Sequence, residues 1–292
     1  MAKTVQTDRP ELAPLELPGE PFPWPGEELY YSVRVNDAEA LRASVRAGHP
    51  RMHNDLAYVP ISGVAQSVGF FNQVYPLDDR GHTFIDPSDR RPLRSEKDFE
   101  ERGKTRTYRV DYALDDYRAR VEKSNKKHDN RFNYAIPEPT HDMMSWMYAL
   151  RSESEFAVGD EFSYYVYDGW KLSRVNLEVV AEEDVLTPMG WFKSYRLSFV
   201  RQVLDSKRKK ASDDSFEDPE LKMRTPRDKS GHLWLSRDEN RLPIKVSLDT
   251  KFGKSEAVLI KYEPHDEPTA HPGRVDQGDE KTSNSTPRVE PR

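Results

Sequence analysis

Between residues 29 and 262 one device recurs: apolar and polar residues alternate with a period of two, and turn-forming residues cut the alternation into short runs. Successive side chains of an extended strand point to opposite faces, so this period marks strands with one buried face. In 29–35 (LYYSVRV) Tyr31, Val33 and Val35 share a side, and Tyr108, Val110 and Tyr112 alternate with Thr107, Arg109 and Asp111. Similar runs occur at 162–167, Val175/Leu177/Val179, Tyr195/Leu197/Phe199, Val246/Leu248 and Val258/Ile260/Tyr262. Turns are signalled by Gly48-His49-Pro50, Asp78-Asp79-Arg80-Gly81, Gly159-Asp160, Pro188-Met189-Gly190 and Arg237-Asp238-Glu239-Asn240. Roughly ten to twelve strands follow, a number that twisted sheets accommodate by curling or closing. The expected fold is mainly β, an antiparallel curved sheet or barrel with two short helices.

The helices are expected where the period changes. Residues 61–75 (ISGVAQSVGFFNQVY) put Val64, Val68 and Phe71 at helical spacing, and 140–150 (THDMMSWMYAL) cluster Met143, Trp146, Met147 and Leu150 behind a Thr that can cap them. Outside the alternating part, residues 1–28 hold six prolines among acidic residues and read as an extended leader. Residues 263–292 lack apolar clusters and read as a disordered polar tail. That leaves one β-rich domain at 29–262. Inside it, 15 of the 26 residues of 205–230 are charged, which reads as a long, mobile hairpin insertion.

Charge narrows the partners. The net charge is −6, yet residues 1–28 carry −4 and 263–292 carry −3, so the domain stands near +1. A nearly neutral surface of mixed sign argues against nucleic acid. Zero Cys excludes disulfides, thiolate metal sites and a Cys nucleophile. No run reaches the ~20 apolar residues of a transmembrane helix, and the first residues lack the apolar stretch of a signal peptide. The chain is then either cytoplasmic or a mature form whose signal peptide has been removed.

Each catalytic pattern in the chain has a plainer reading beside it. His49 and His53 have a metal spacing only on a helix, and Gly48 and Pro50 make that stretch a turn, so no metal site is expected. His141-Asp142 can be a general-base pair, but at a helix start the pair reads more simply as a cap. No GxSxG, GxGxxG or GxxxxGK[ST] motif occurs, so no catalytic residue and no cofactor are assigned. The basic run 207–210, answered by nearby acids, reads as a solvated loop rather than an anion site. The aromatic residues are the remaining candidates. Tyr31, Trp146, Tyr165, Tyr167, Trp170 and Trp191 can line an apolar cavity inside a curved sheet, or they can be ordinary core.

Several short stretches carry a resemblance. They are Pro25-Gly26-Glu27-Glu28-Leu29-Tyr30-Tyr31, Arg91-Pro92-Leu93-Arg94, Tyr108–Tyr112 and His141-Asp142-Met143-Met144-Ser145. In the second half come Val158-Gly159-Asp160-Glu161-Phe162, Val166-Tyr167-Asp168-Gly169, Leu186–Phe192, Leu233–Ser236 and Arg241-Leu242-Pro243. In order and spacing these resemble the domain-of-unknown-function 3108 family over about 26–262. The resemblance implies a bacterial protein exported behind a signal peptide to the periplasm, with a strand-rich plan similar to envelope proteins that carry lipids or lipoproteins. It supplies no activity and no catalytic residues. The expected function is non-enzymatic: a curved sheet that binds a lipid-like ligand or a protein partner, with peripheral association to the outer membrane. The alternatives are an envelope assembly protein acting through its insertion and tail, and a hydrolase built on His141 and Asp142.

Overall fold

A computed structural model describes residues 22–264, apart from 207, 211–216, 218, 224–228 and 251–252. The expected leader up to 21 and the tail from 265 therefore lie outside the described residues. The chain begins with hairpin β1 (Glu28–Val35) and β2 (Ala38–Ala47), whose turn residues Asn36 and Asp37 both take left-handed φ. Such primed turns match the twist of the strands they join, and Asn and Asp tolerate them. The short β3 (Arg51–His53) turns back through Asn54 and Asp55 in the same conformation into β4 (Leu56–Ser67). After helix α1 (Gly69–Val74) come β5 (Leu77–Ile85), β6 (Pro92–Glu101), β7 (Lys104–Ala113), β8 (Arg118–Asn125) and β9 (Asp129–Ala135). The two-residue β10 (Thr140–His141) leads to helix α2 (Ser145–Arg151). Then follow β11 (Glu161–Tyr167), β12 (Leu172–Thr187), β13 (Gly190–Asp205), β14 (Arg208–Lys210) and β15 (Lys222–Met223). The chain finishes with β16 (Lys229–Ser236), β17 (Pro243–Thr250) and β18 (Gly253–Glu263).

All 18 strands belong to one sheet. Its ladders run β9-β8-β7-β6-β5-β4-β2-β1-β18-β17-β16-β13-β12-β11-β10, antiparallel throughout except for β10 on β11. The sheet curves round on itself without becoming a closed barrel. Its two flanks meet over a three-residue ladder, Arg208↔Tyr134, Lys209↔Asn133 and Lys210↔Phe132. The mainly β, curved reading holds. The count of ten to twelve strands was too low, partly because four of the 18 are only two or three residues long.

Four further expectations need correction. Residues 61–75 are not one helix: β4 runs to Ser67, and only the six residues of α1 are helical. On β4 the inward positions are Val59, Ile61 and then Gly63, where Met144 Sδ would lie only 3.1 Å from an added Cβ. Met144 fills the space that a side chain at position 63 would take, and the apolar alternation is blank there. The helix expected at 140–150 starts later, because Thr140 and His141 pair with Tyr165 and Val166 as a strand. Asp78–Gly81, read as a turn, runs straight through β5. Within the charged insertion, Arg208–Lys210 and Lys222–Met223 are strand, so the basic run is part of the sheet.

The domain also starts before residue 29. Phe22, Trp24 and Glu27 are almost fully buried although prolines keep them out of regular structure. Phe22 and Trp24 pack on Tyr148 of α2, with ring centroids 5.5 and 5.8 Å apart. The interior is thus filled from the middle outward by α2. Leu150 joins the cluster of Val166, Leu177, Val179, Leu197, Leu233 and Leu235, while Tyr148 joins Ala47, Val59, Ile61 and Ile85.

Candidate functional site

The antiparallel order gives the curved sheet two ends. At one lie the start of β1, the ends of β5 and β16, and the start of β17; at the other lie the ends of β4, β6 and β17 and the starts of β7 and β16. The first end is sealed by a buried ion pair. Arg151 at the last turn of α2 donates to both carboxylate oxygens of Glu27, at 2.6 and 2.9 Å, with both side chains wholly out of water. It donates also to the Asn240 carbonyl, and its guanidinium lies 4.0 Å from the Trp24 ring centroid. A buried charge pair is tolerable only when its remaining donors are satisfied, and here they are.

The segment that enters α2 is equally well bonded. Asp142 Oδ1 accepts from the backbone N–H groups of Met144 and Ser145 at 3.0 and 2.7 Å, and Ser145 Oγ accepts from Asp142 N. This reciprocal arrangement is a capping box. Thr83 donates to the other carboxylate oxygen at 2.5 Å, and the Lys97 ammonium stands 3.8 Å away. His141, edge-on to Tyr164, is buried, and desolvation pushes its pKa down to about 4 against the pull of Asp142. His141, Asp142 and Ser145 are all nearly or wholly inaccessible to solvent, and their polar atoms are taken up in holding the helix. They form a buried, hydrogen-bonded network at the start of α2.

At the other end the interior opens. A cavity of about 300 Å³ lies between α2 and the sheet. Met143, Trp146 and Met147 form one wall, and Val175, Phe199, Leu233, Val246 and Leu248 of β12, β13, β16 and β17 form the other. Beside it a second hollow of about 390 Å³ has Phe99, Tyr108 and Trp170 together with Glu101, Arg106 and Lys171 on its walls. Met143, Asp168 and Arg201 border both, so the two hollows meet at an ion pair in which Arg201 Nη2 stands 3.3 Å from Asp168 Oδ2. Asp168 is held by its own turn, accepting from the N–H groups of Trp170 and Lys171 at 2.8 and 2.6 Å. Gly169 follows at φ +85°, close enough to Val110 and Tyr108 that a side chain would crowd them. Lys123 packs on two of these rings, its ammonium 4.2 Å from the Trp170 centroid and 5.2 Å from that of Tyr108. Burial depresses its pKa first, and the charges of Arg106 and Arg208 add to the effect.

Of the six aromatic candidates, the structure brings two to this cleft, Trp146 to the inner cavity and Trp170 to the outer hollow. Tyr31 is packed in the core with its hydroxyl donating to the Pro243 carbonyl. Tyr167 is wholly buried and stacks on Tyr134 at 4.9 Å, and Tyr165 packs against the same cluster. Trp191 stands 71% exposed on the β12–β13 hairpin, away from the cleft. The residues that sequence reasoning missed are Met143, Met147, Phe199, Val246, Asp168 and Arg201. Only Asp168-Gly169 carried a local signal, as a turn; the others come from strands and a helix distant in sequence. His53 is exposed beside Asn54, and no group of three or more His, Asp or Glu among the described residues is placed to hold a metal.

The model of the DUF3108 family, proteins of unknown function, matches residues 30–260. The chain belongs to this family. A search of the curated proteins gave no match. Among solved structures, a β-barrel-like protein of the domain-of-unknown-function 1849 from Brucella abortus overlays on 84% of this chain and 99% of its own, with TM-score 0.51 and 13% identity. That likeness concerns the fold alone. A candidate lipoprotein from Parabacteroides distasonis and a candidate exported protein from Bacteroides fragilis each cover 83% of this DUF3108 chain at 12% identity and TM-score 0.32, too loose to carry an argument. No described helix is long and apolar enough to cross a membrane, which says nothing of strands.

Proposed function

We propose that this DUF3108 protein is a non-enzymatic, extracytoplasmic binding protein that takes an apolar, lipid-like ligand into the cleft between α2 and β12–β17. The observation that carries the reading is the inner cavity: about 300 Å³, walled mainly by Val, Leu, Phe, Met and Trp side chains, at the end of the sheet opposite the buried Arg151–Glu27 pair. That volume is at the lower end of small-molecule pockets, and an apolar wall with few polar groups is their usual composition. The buried state of His141, Asp142 and Ser145 favours binding over hydrolysis. The neutral dye Nile red tests it. The protein should raise the dye's fluorescence saturably, and Val246→Phe, which fills the cavity from its wall, should weaken binding by about fivefold or more without lowering Tm. Absent saturable binding, or binding indifferent to Val246→Phe, would sink the reading. Recovery of the native protein in the cytosol rather than in osmotic-shock fluid would overturn the compartment.

A second reading, peripheral contact with a lipid surface, rests on the β12–β13 hairpin. Val185 and Phe192, paired across it, pack on the domain, whereas the next pair, Leu186 and Trp191, is 61% and 71% exposed with Met189 at the turn. Trp and Leu at a hairpin tip suit the membrane–water interface. The version in which the insertion and tail dock an envelope partner falls largely outside the described residues.

A further inference from the structure

The cleft has two chemically unlike compartments, and the ion pair between them indicates what spans it. The inner cavity is bounded almost wholly by apolar side chains, with Lys229 at its edge. The outer hollow brings Arg106, Lys171 and Arg201 together against Glu101 and Asp168. Arg106 is paired with Glu101 and Arg201 with Asp168, which leaves the exposed Lys171 as the cation in excess. The Lys123 ammonium lies 4.2 Å from the Trp170 ring centroid. Such an excess beside an apolar slot complements a molecule with one apolar end and one anionic end.

We infer that the ligand is a single-chain anionic amphiphile, its hydrocarbon tail against Phe199, Leu233 and Val246 and its carboxylate or phosphate head in the outer hollow beside Lys171 and Arg201. The inference rests on the binding reading above and deepens it. Arg201, held by Asp168 and by the Ser173 hydroxyl, is placed to share its guanidinium with the head group. Tyr108 and Trp170, with ring centroids 6.3 Å apart, give the head-group site an aromatic wall.

The test uses the full chain and one matched pair of probes: cis-parinaric acid, whose carboxylate is ionised at about pH 8, and its methyl ester, which has the same tail without the charge. The acid should bind about fivefold or more tightly than the ester, and Lys171→Gln should abolish most of that preference by weakening the acid more than the ester. Lys171→Glu should reverse it; both changes are at an exposed position, and equal Tm values would show that the fold is intact. If acid and ester bind alike, the apolar cleft stands and the anionic head is wrong. If the acid is preferred but neither Lys171 variant alters the preference, the head-group site is elsewhere. If neither probe binds, the binding reading fails and this inference fails with it. A matched lysophosphatidic acid competitor separates phosphate from carboxylate heads: whichever displaces the probe at lower concentration names the class.

Discussion

The two ends of this curved sheet use similar residues to opposite effect. At the sealed end an Arg, a Glu and two aromatic rings interlock so completely that Arg151 and Glu27 have no contact with water. At the open end another Arg and acid, Arg201 and Asp168, are 31% and 20% exposed and border two hollows. The difference lies in what stands next to each pair. Phe22, Trp24 and Tyr148 close over the first, while the second has beside it the turn at Gly169, the half-exposed Trp170 and Ser173, whose hydroxyl accepts from Arg201 Nε at 3.0 Å. A charge pair inside a finished core specifies packing, and one at the lip of a cavity remains free to exchange partners.

The largest effect should come from breaking the sealed end. Arg151→Ala leaves Glu27 charged and unpaired in the interior and should cost about 3–5 kcal/mol in denaturant unfolding. Adding Glu27→Gln should recover part of that. A loss below 1 kcal/mol would mean that the two ends are not so different. Next comes pH. His141 is held neutral, with its pKa at about 4 in the folded state against 6.5 ordinarily, so the unfolded chain takes up a proton first as pH falls. Stability should be unaffected above that window and decline by about 3 kcal/mol between pH 7 and pH 4 relative to His141→Gln. Asp79, raised to about 6 by burial and by Glu101, works in the reverse sense and gains stability over part of the same range, so Asp79→Asn is the control.

Much of this was legible in the sequence, and the failures share a cause. Alternation revealed the strands because one face of each is buried, and the curl followed from their number. It missed the continuity of β4, since the side chain that completes the pattern at Gly63 belongs to Met144, on a distant part of the chain. It placed residues 22–28 outside the domain, since proline reports the absence of regular structure and not the absence of burial. For the cleft, Trp146 and Trp170 were foreseeable as aromatic candidates. Arg201, Phe199 and Val246 were not, because each looks like any residue on a half-buried strand until the curvature brings it opposite α2.

Smaller effects probe the open end. Gly169→Ala forces a Cβ to 3.2 Å from Val110 at a left-handed φ, and should cost about 1–2 kcal/mol and loosen the Asp168 turn, so that dye binding weakens along with stability. Smallest of all, Trp191→Ser should change unfolding free energy by no more than about 0.5 kcal/mol. Its readout is co-sedimentation with phosphatidylglycerol vesicles, which should fall if the hairpin meets lipid and persist if it does not.

The pairing of β1 with β18, Glu28 opposite Glu263, has a consequence for how the chain is made. The first strand to emerge finds β2 at once, but its other edge waits for the last. Until then β1 is a bare edge, and the four aromatic and charged contacts between residues 22–27 and α2 have no closed wall behind them. Long-range pairing of this kind is slow and exposes strand edges while it waits. The molecule therefore has a folding schedule in which the wall behind its first strand is completed only when its last strand has arrived.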